Sequence, residues 1–128
     1  MALTVTVIER RRAQSPPATV VRLAGRLDTT AAPQAERDFA PILAGGPKVL
    51  VIDLAGLEFI SSAGLRLLFD ARRSVQERGG EVVFSSPQPA IRKVFEIVRA
   101  LPDLAVFASD EELDDYLATM QHRTTGEV

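Results

Sequence analysis

Two adjacent serines, Ser61 and Ser62, stand where an apolar, strand-like run gives way to a helical pattern of apolar residues. The first turn of a helix has unpaired N–H groups and the positive end of the helix dipole, so a phosphate on either serine would be favoured there. Phosphorylation would add a charge of about −1.5 to −2. The alternative is structural: one serine caps the helix, and Gly64 lets the helix pack closely.

The surroundings of Ser62 do not favour acyl-transfer chemistry. A nucleophile elbow, G-x-S-x-G, needs glycine two residues before the serine, and position 60 is isoleucine. The chain has no cysteine and one histidine, His122, near its C-terminus, so a serine nucleophile has no obvious base. Glycine-rich phosphate-binding motifs are absent. Asp28 and Asp53 could bind magnesium, but turn capping is favoured for each. We therefore expect no catalytic residue, no metal site and no cofactor.

Length and charge restrict the class of protein further. The 128 residues are expected to form one domain, 1–128, with a core at about 4–120 and frayed residues at 121–128. Fifteen Lys and Arg against 17 Asp and Glu give a net charge of −2, which excludes a basic nucleic-acid footprint across the domain. No apolar run approaches the roughly 18–20 residues that cross a bilayer, so no direct membrane insertion is expected. The lack of cysteine fits a reducing, cytoplasmic location.

Hydrophobic periodicity predicts elements in the order β-β-α-β-α-β-α-β-α. The expected fold is α/β, a mixed β-sheet of about five strands with an antiparallel N-terminal hairpin, parallel βαβ crossovers and about four helices. A polar loop is expected at 10–17, and a connection with a turn at Gly56 is expected at 55–60. The predicted strands are 3–7, 19–23, 48–54, 81–85 and 104–108.

Helix boundaries are predicted from capping residues and breakers. Thr29 or Thr30 is the expected N-cap of the first helix, which Pro41 should kink or end early. The last helix should begin after Ser109 as N-cap. The buried stripe of the second helix is expected to be Leu65, Leu68, Phe69, Val75 and the stem of Arg72. That of the last helix is expected to be Leu113, Tyr116, Leu117 and Met120.

Three segments together are similar to one known family. Residues 25–28 read Gly-Arg-Leu-Asp, like a G-x-[LIV]-D pattern after a second strand. The run 51–57 followed by 59–65 forms a long strand-to-helix motif, and Gly79 and Gly80 close the helix after it. With these segments the chain resembles STAS domains of the bacterial anti-sigma factor antagonist type over most of its length.

In that family the helix-start motif is usually Asp-Ser-[Ser/Thr]-Gly-Leu, and its first serine is phosphorylated. The resemblance therefore implies phosphorylation at Ser62, with Ser61 as a minor alternative. Here Ser61 replaces the Asp and Ala63 replaces the Ser/Thr, whereas Gly64 and Leu65 match.

The resemblance also implies partner switching. The unphosphorylated chain would bind an anti-sigma factor, a serine kinase with the histidine-kinase-like ATPase fold, and so release a sigma factor. Phosphorylation would end the complex, and a PP2C-type phosphatase would restore it, so the chain would be a substrate and ligand rather than an enzyme. The partner is expected to contact the loop after the second strand and the start of the second helix, at Asp28, Thr29, Ser61, Ala63, Gly64, Arg66 and Leu67.

A second function remains open at this point. The chain could instead be a non-phosphorylated STAS scaffold subunit of a larger assembly, such as a sensory complex or a lipid transporter, and there Ser62 would only cap its helix. The substitution of Ser61 for the usual Asp favours this alternative.

Overall fold

A computed structural model describes residues 3–12, 15–100, 115, 117–119 and 121 of the chain. Residues 115, 117–119 and 121 are helical and are called the C-terminal helix below. The other elements are β1 (Thr4–Arg12), β2 (Ser15–Leu27), α1 (Ala32–Ala44), β3 (Val49–Ile60), α2 (Ser62–Glu77), β4 (Glu81–Ser85) and α3 (Pro89–Ala100).

The strands of the described residues form one four-stranded sheet in the order β1-β2-β3-β4. β1 pairs with β2 antiparallel, whereas β2 with β3 and β3 with β4 are parallel. This confirms the mixed α/β sheet, with its N-terminal hairpin and its parallel crossovers. The predicted strand at 104–108 and the cap at Ser109 lie outside the described residues.

The hairpin is longer than the polar sequence at 10–17 suggests. The predicted loop is wrong for most of that segment, because β1 continues to Arg12 and β2 begins at Ser15. β2 is bonded to β3 only from Ala18 onward, opposite Val49. A strand with one open edge tolerates proline and polar residues, since no partner strand needs their N–H groups there.

The predicted connection at 55–60 is also wrong, because β3 runs without interruption from Val49 to Ile60. Gly56 does not form a turn but pairs with Ala24 of β2, after a register shift between Arg22 and Ala24. A Cβ atom at Gly56 would lie 2.9 Å from the Cβ of Ala24, so only glycine allows the two strands to approach this closely. The long β3 carries the chain directly to Ser61.

Among the described residues, one cluster of buried side chains joins the sheet to the helices. The helical stripe of α2 is confirmed at Leu65, Leu68 and Val75, with Phe69 partly buried, but Arg72 is exposed and Ala71 is buried instead. Along β3, alternate residues are buried from Leu50 to Leu54, and after the irregular pairing near Gly56 the buried residues are Leu57 and Ile60. The largest fully buried side chains are Phe39, Leu23, Leu27, Leu50, Ile52, Leu54, Leu57, Ile60, Leu65, Leu68 and Ile91.

The structure differs from two further expectations, one on the end of α1 and one on the C-terminal helix. Helix α1 passes Pro41 and ends at Ala44, because a proline in the last turn leaves most of the helical hydrogen bonds intact. At the other end, Leu117 is buried as predicted, and Gln121 is helical and buried although fraying is expected from residue 121. Leu113, Tyr116 and Met120 lie outside the described residues.

Candidate functional site

The helix starts of α1 and α2 lie together at the carboxyl ends of β2 and β3. The N–H of Ser61 donates to the carbonyl of Leu27 at 2.9 Å, which joins the end of β2 to the start of α2. In open α/β sheets this edge is where binding residues collect, because loops leave the strands there with free polar groups. The residues around these two starts are the candidate site.

Ser61 is the N-cap of α2, as expected for one of the two serines. Its backbone is extended, with φ −94° and ψ 174°, and its Oγ accepts from the N–H of Gly64 at 3.2 Å. Its carbonyl accepts the first helical hydrogen bond, from Leu65, at 2.8 Å. With 5% of its surface exposed, Ser61 serves the backbone of the first turn rather than the solvent.

Gly64 is required by packing. A Cβ atom at this position would lie 2.6 Å from Cγ and 2.7 Å from the carbonyl oxygen of Leu27, and 3.1 Å from Cγ1 of Ile60. The first turn of α2 therefore rests directly on the ends of β2 and β3. This confirms the close-packing role considered for Gly64, and it holds the neighbouring serines at a fixed place on the sheet edge.

Ser62 is the first residue of α2, so it lies in the first turn, where the backbone N–H groups point toward the helix start. An anion on its side chain would meet these donors and the positive end of the helix dipole. In this structure, however, only 2% of its surface is exposed. A kinase can reach its hydroxyl only if the turn moves.

Asp28 caps α1, and the expectation of a Thr29 or Thr30 cap is wrong. The N-cap position is Ala31, whose side chain makes no capping bond. Instead, Oδ1 of Asp28 accepts from the N–H of Ala31 at 2.9 Å, and the Asp28 carbonyl accepts from Ala31 and Ala32. The carboxylate thus occupies a turn that wraps the helix start, which is the capping role favoured for it over magnesium binding.

The second aspartate, Asp53, also bonds its own backbone. Its Oδ1 accepts from the N–H of Ala55 at 3.0 Å, and its Oδ2 lies 3.4 Å from Nε of Arg22 on β2. In the part of the chain that the structure describes, no group of three or more His, Cys, Asp or Glu residues could hold a metal ion.

A groove of about 610 Å³ runs between α1 and α2 from the helix starts. It brings together four of the predicted partner-binding residues, Thr29, Ala63, Arg66 and Leu67, but not Asp28, Ser61 or Gly64. Its walls are mostly apolar, and two exposed carboxylates stand in the lining. The lining residues are Thr29, Ala32, Pro33, Glu36, Phe39, Ala40, Leu43, Ala63, Arg66, Leu67, Asp70 and Ala71.

Gln121 is a site residue that the sequence does not predict. Its Oε1 accepts from the N–H of Ile60 at 2.8 Å, and its Nε2 donates to the Ile60 carbonyl at 2.9 Å. The one signal is its spacing: Gln121 follows the buried Leu117 by four residues, so it lies on the same helical face. A polar residue on an apolar face must find a buried partner.

The chain belongs to the STAS domain family, whose model matches residues 9–113. Its relatives include proteins named anti-sigma factor antagonist, a class of non-enzymatic regulators, in agreement with the expectation that the chain is not an enzyme. Helices long and apolar enough to cross a bilayer are lacking in the described segments.

Particular relatives are similar over much of the chain. The anti-sigma F factor antagonist of Lysinibacillus sphaericus is 29% identical over 96 residues, which are 74% of this chain and 82% of that protein. BtrV of Bordetella bronchiseptica is 36% identical over 75 residues, which are 59% of this chain and 65% of BtrV, so the match spans less than two thirds of that relative.

The fold is that of SpoIIAA, the Bacillus cell fate determinant. Its structure in the phosphorylated form matches with a TM-score of 0.58 and 23% identity, covering 74% of this chain and 83% of SpoIIAA.

Proposed function

We propose that this chain is an anti-sigma factor antagonist that acts by partner switching. Its unphosphorylated form binds an anti-sigma factor serine kinase of the histidine-kinase-like ATPase fold and so releases a sigma factor. Phosphorylation of Ser62 ends this complex, and a PP2C-type phosphatase restores it. The observation that carries the proposal is the position of Ser62, at the first residue of α2 and beside the α1–α2 groove.

The groove supplies a surface that a partner can fill. Ala63, Arg66 and Leu67 extend it along α2 from Ser62, and Thr29 reaches it from the start of α1. An apolar side chain of the partner would bury the walls, since removal of apolar surface from water drives association. The lining also has charges of both signs, the exposed carboxylates of Glu36 and Asp70 and the exposed guanidinium of Arg66, so polar groups on the partner would have to match both.

Phosphate at Ser62 changes both the charge of this surface and the cost of burying its apolar part. It brings a charge of about −1.5 to −2 to the mouth of a groove that already has two carboxylates. A partner with a basic contact surface could tolerate the charge, but the apolar part of the interface would have to desolvate it. The first turn of α2 stabilises the phosphate in the free chain, which favours dissociation further.

The decisive experiment combines phosphate mapping with binding. The chain is incubated with ATP and each candidate anti-sigma kinase of its host, and phosphate is located by mass spectrometry. We expect phosphate on Ser62, its loss in Ser62→Ala, and its retention in Ser61→Ala.

Binding is then measured for two matched charge variants. Ser62→Asp should weaken binding to the kinase by at least about tenfold, whereas Ser61→Asp, with the same charge one residue earlier, should bind as wild type. Circular dichroism and urea unfolding check that both variants are folded. Equal binding by Ser62→Asp and wild type, or absence of phosphate with every kinase, would contradict the switch.

A second function is favoured by one observation, the burial of Ser62 to 2% exposure. In it, the chain is an unphosphorylated scaffold subunit of a larger assembly, such as a sensory complex or a lipid transporter, and Ser62 only forms part of the helix start. This function predicts co-purification with a stable partner whose binding does not change with ATP and kinase.

A further inference from the structure

The C-terminal helix reaches back to the strand end that leads into Ser61 and Ser62. The side chain of Gln121 makes three hydrogen bonds there, two with the backbone of Ile60 and one to the carbonyl of Leu117 at 2.9 Å. Gln121 is 2% exposed, and Leu117 is fully buried. Ile60 is separated from Gln121 by 61 residues in the chain, so this contact is purely tertiary.

The direction of these bonds explains why a side chain is needed. Successive residues of a strand direct their peptide groups to opposite edges, and Ser61 donates to Leu27 on β2. The N–H and carbonyl of Ile60 therefore point to the other edge. On that edge the pairing of β4 ends at Ser85, opposite Asp53. A primary amide has the same donor and acceptor as a peptide group, so Gln121 supplies to Ile60 the two hydrogen bonds that one residue of a neighbouring strand would make.

We propose that Gln121 is a latch: a positioning residue that holds the Ser61–Ser62 turn in its closed, buried state. The turn is held from both sides, by Leu27 of β2 and by Gln121. The β2 side belongs to the strand pairing of β2 with β3, which reaches Leu27 and Ile60, whereas the Gln121 side is one side chain on the C-terminal helix. When that helix leaves Ile60, the turn loses one of its two supports and the Ser62 hydroxyl becomes accessible.

The latch gives the proposed phosphorylation a point of control. Because Ser62 is buried in this structure, phosphorylation requires that the C-terminal helix undock, either spontaneously or when the kinase binds. Phosphoryl transfer would then depend on the docking equilibrium of a segment remote in sequence. This role rests on the proposed function, but the latch itself is tested without any kinase.

The chain has no cysteine, so a single introduced thiol reports the accessibility of one position. Ser62→Cys is made alone and with Gln121→Met, which keeps the length of the side chain and removes its amide. The rate of reaction with 4,4′-dithiodipyridine is measured under native conditions. We expect the rate to rise at least about tenfold with Gln121→Met, because two backbone hydrogen bonds of the closed turn are lost.

Two controls separate a latch from general loosening. Thr119→Ala changes an exposed residue of the same helix and should leave the rate unchanged. Ala71→Cys places the thiol in the core under α2, where Gln121→Met should raise the rate far less than at position 62. Equal rates at position 62 with and without Gln121→Met, or equal acceleration at positions 62 and 71, would overturn the latch.

A second variant keeps the test decisive if Gln121→Met does not fold. Gln121→Glu can accept from Ile60, but it can donate to the Ile60 carbonyl only when protonated. Relative to Ser62→Cys alone at each pH, its labelling rate should be raised at neutral pH and return toward the parent on acidification. A ratio independent of pH would contradict the latch, whereas a failed kinase assay with these labelling results would overturn only the phosphorylation of Ser62.

Discussion

Helices α1 and α2 begin at the same edge of the sheet, but their first turns are built differently. The start of α2 is buried: Ser61 caps Gly64 from within the turn, and Gly64 lies against the backbone of Leu27. The start of α1 faces solvent, and its capping carboxylate belongs to Asp28, the residue after the end of β2, rather than to the N-cap position. The start of α2 is fixed by packing and that of α1 by a local turn. Substitutions at the start of α2 should therefore lower the free energy of unfolding more.

The largest effect is expected for Gly64→Ala. The added Cβ would meet Leu27 Cγ at 2.6 Å and the Leu27 carbonyl oxygen at 2.7 Å, and the backbone atom cannot move without disturbing β2. Overpacking of this kind should lower the free energy of unfolding by about 3 kcal/mol in urea titrations. Gly45→Ala at the end of α1 is the matched control, because its Cβ would meet nothing closer than 3.4 Å. Similar unfolding midpoints for the two variants would show that the α2 start is not tightly packed.

Ser61→Ala should have the next largest effect. It removes the cap and leaves the N–H of Gly64 without its side-chain acceptor in a buried turn, at a cost of about 2 kcal/mol in the free energy of unfolding. Ser61→Asp restores an acceptor of suitable length and should recover most of the loss. If Ser61→Asp is as unstable as Ser61→Ala, the capping bond is not what stabilises this turn.

Asp28→Ala should cost less than Ser61→Ala, about 1 kcal/mol, because its turn is only partly buried and the N–H of Ala31 keeps its hydrogen bond to the Asp28 carbonyl. Asp28→Asn keeps an oxygen acceptor and should lose only the interaction of the charge with the helix dipole, about 0.5 kcal/mol at low salt. The two variants are compared by thermal unfolding at low and high salt. A cost for Asp28→Ala larger than that for Ser61→Ala would reverse the comparison between the two helix starts.

The same contrast explains which features could be predicted from the sequence. The Ser61 cap depends on a local hydrogen bond over three residues, and the helical spacing of Leu65 and Leu68 depends on the helix itself, so both are predictable. For α1 the sequence locates the start to within two residues. It does not identify the acceptor, because several oxygen-bearing side chains near Asp28 could cap and the turn selects among them.

Features that depend on distant residues were not predictable. Gly56 is typical of a turn, and only its pairing with Ala24 makes it a strand residue. Arg72 fits the helical stripe by spacing, yet Ala71 is the residue that packs against the core. The contact of Gln121 with Ile60 joins residues 61 positions apart, and a pattern within the C-terminal helix contains no information on which residues that helix contacts.

The smallest effect on stability, and the sharpest on function, is expected at the two exposed threonines of the α1 start. Thr29→Glu and Thr30→Glu should each change the free energy of unfolding by less than about 0.5 kcal/mol, because neither side chain caps the helix. Thr29 lines the groove between α1 and α2, and Thr30 does not. If the groove is the partner surface, Thr29→Glu places a charge that must be desolvated in the mostly apolar interface and should weaken partner binding about tenfold, measured by isothermal titration, whereas Thr30→Glu binds as wild type. Equal losses of affinity for the two variants would mean that binding responds to any charge near the start of α1. Thr29 would then affect the partner through its charge and not as part of the groove wall.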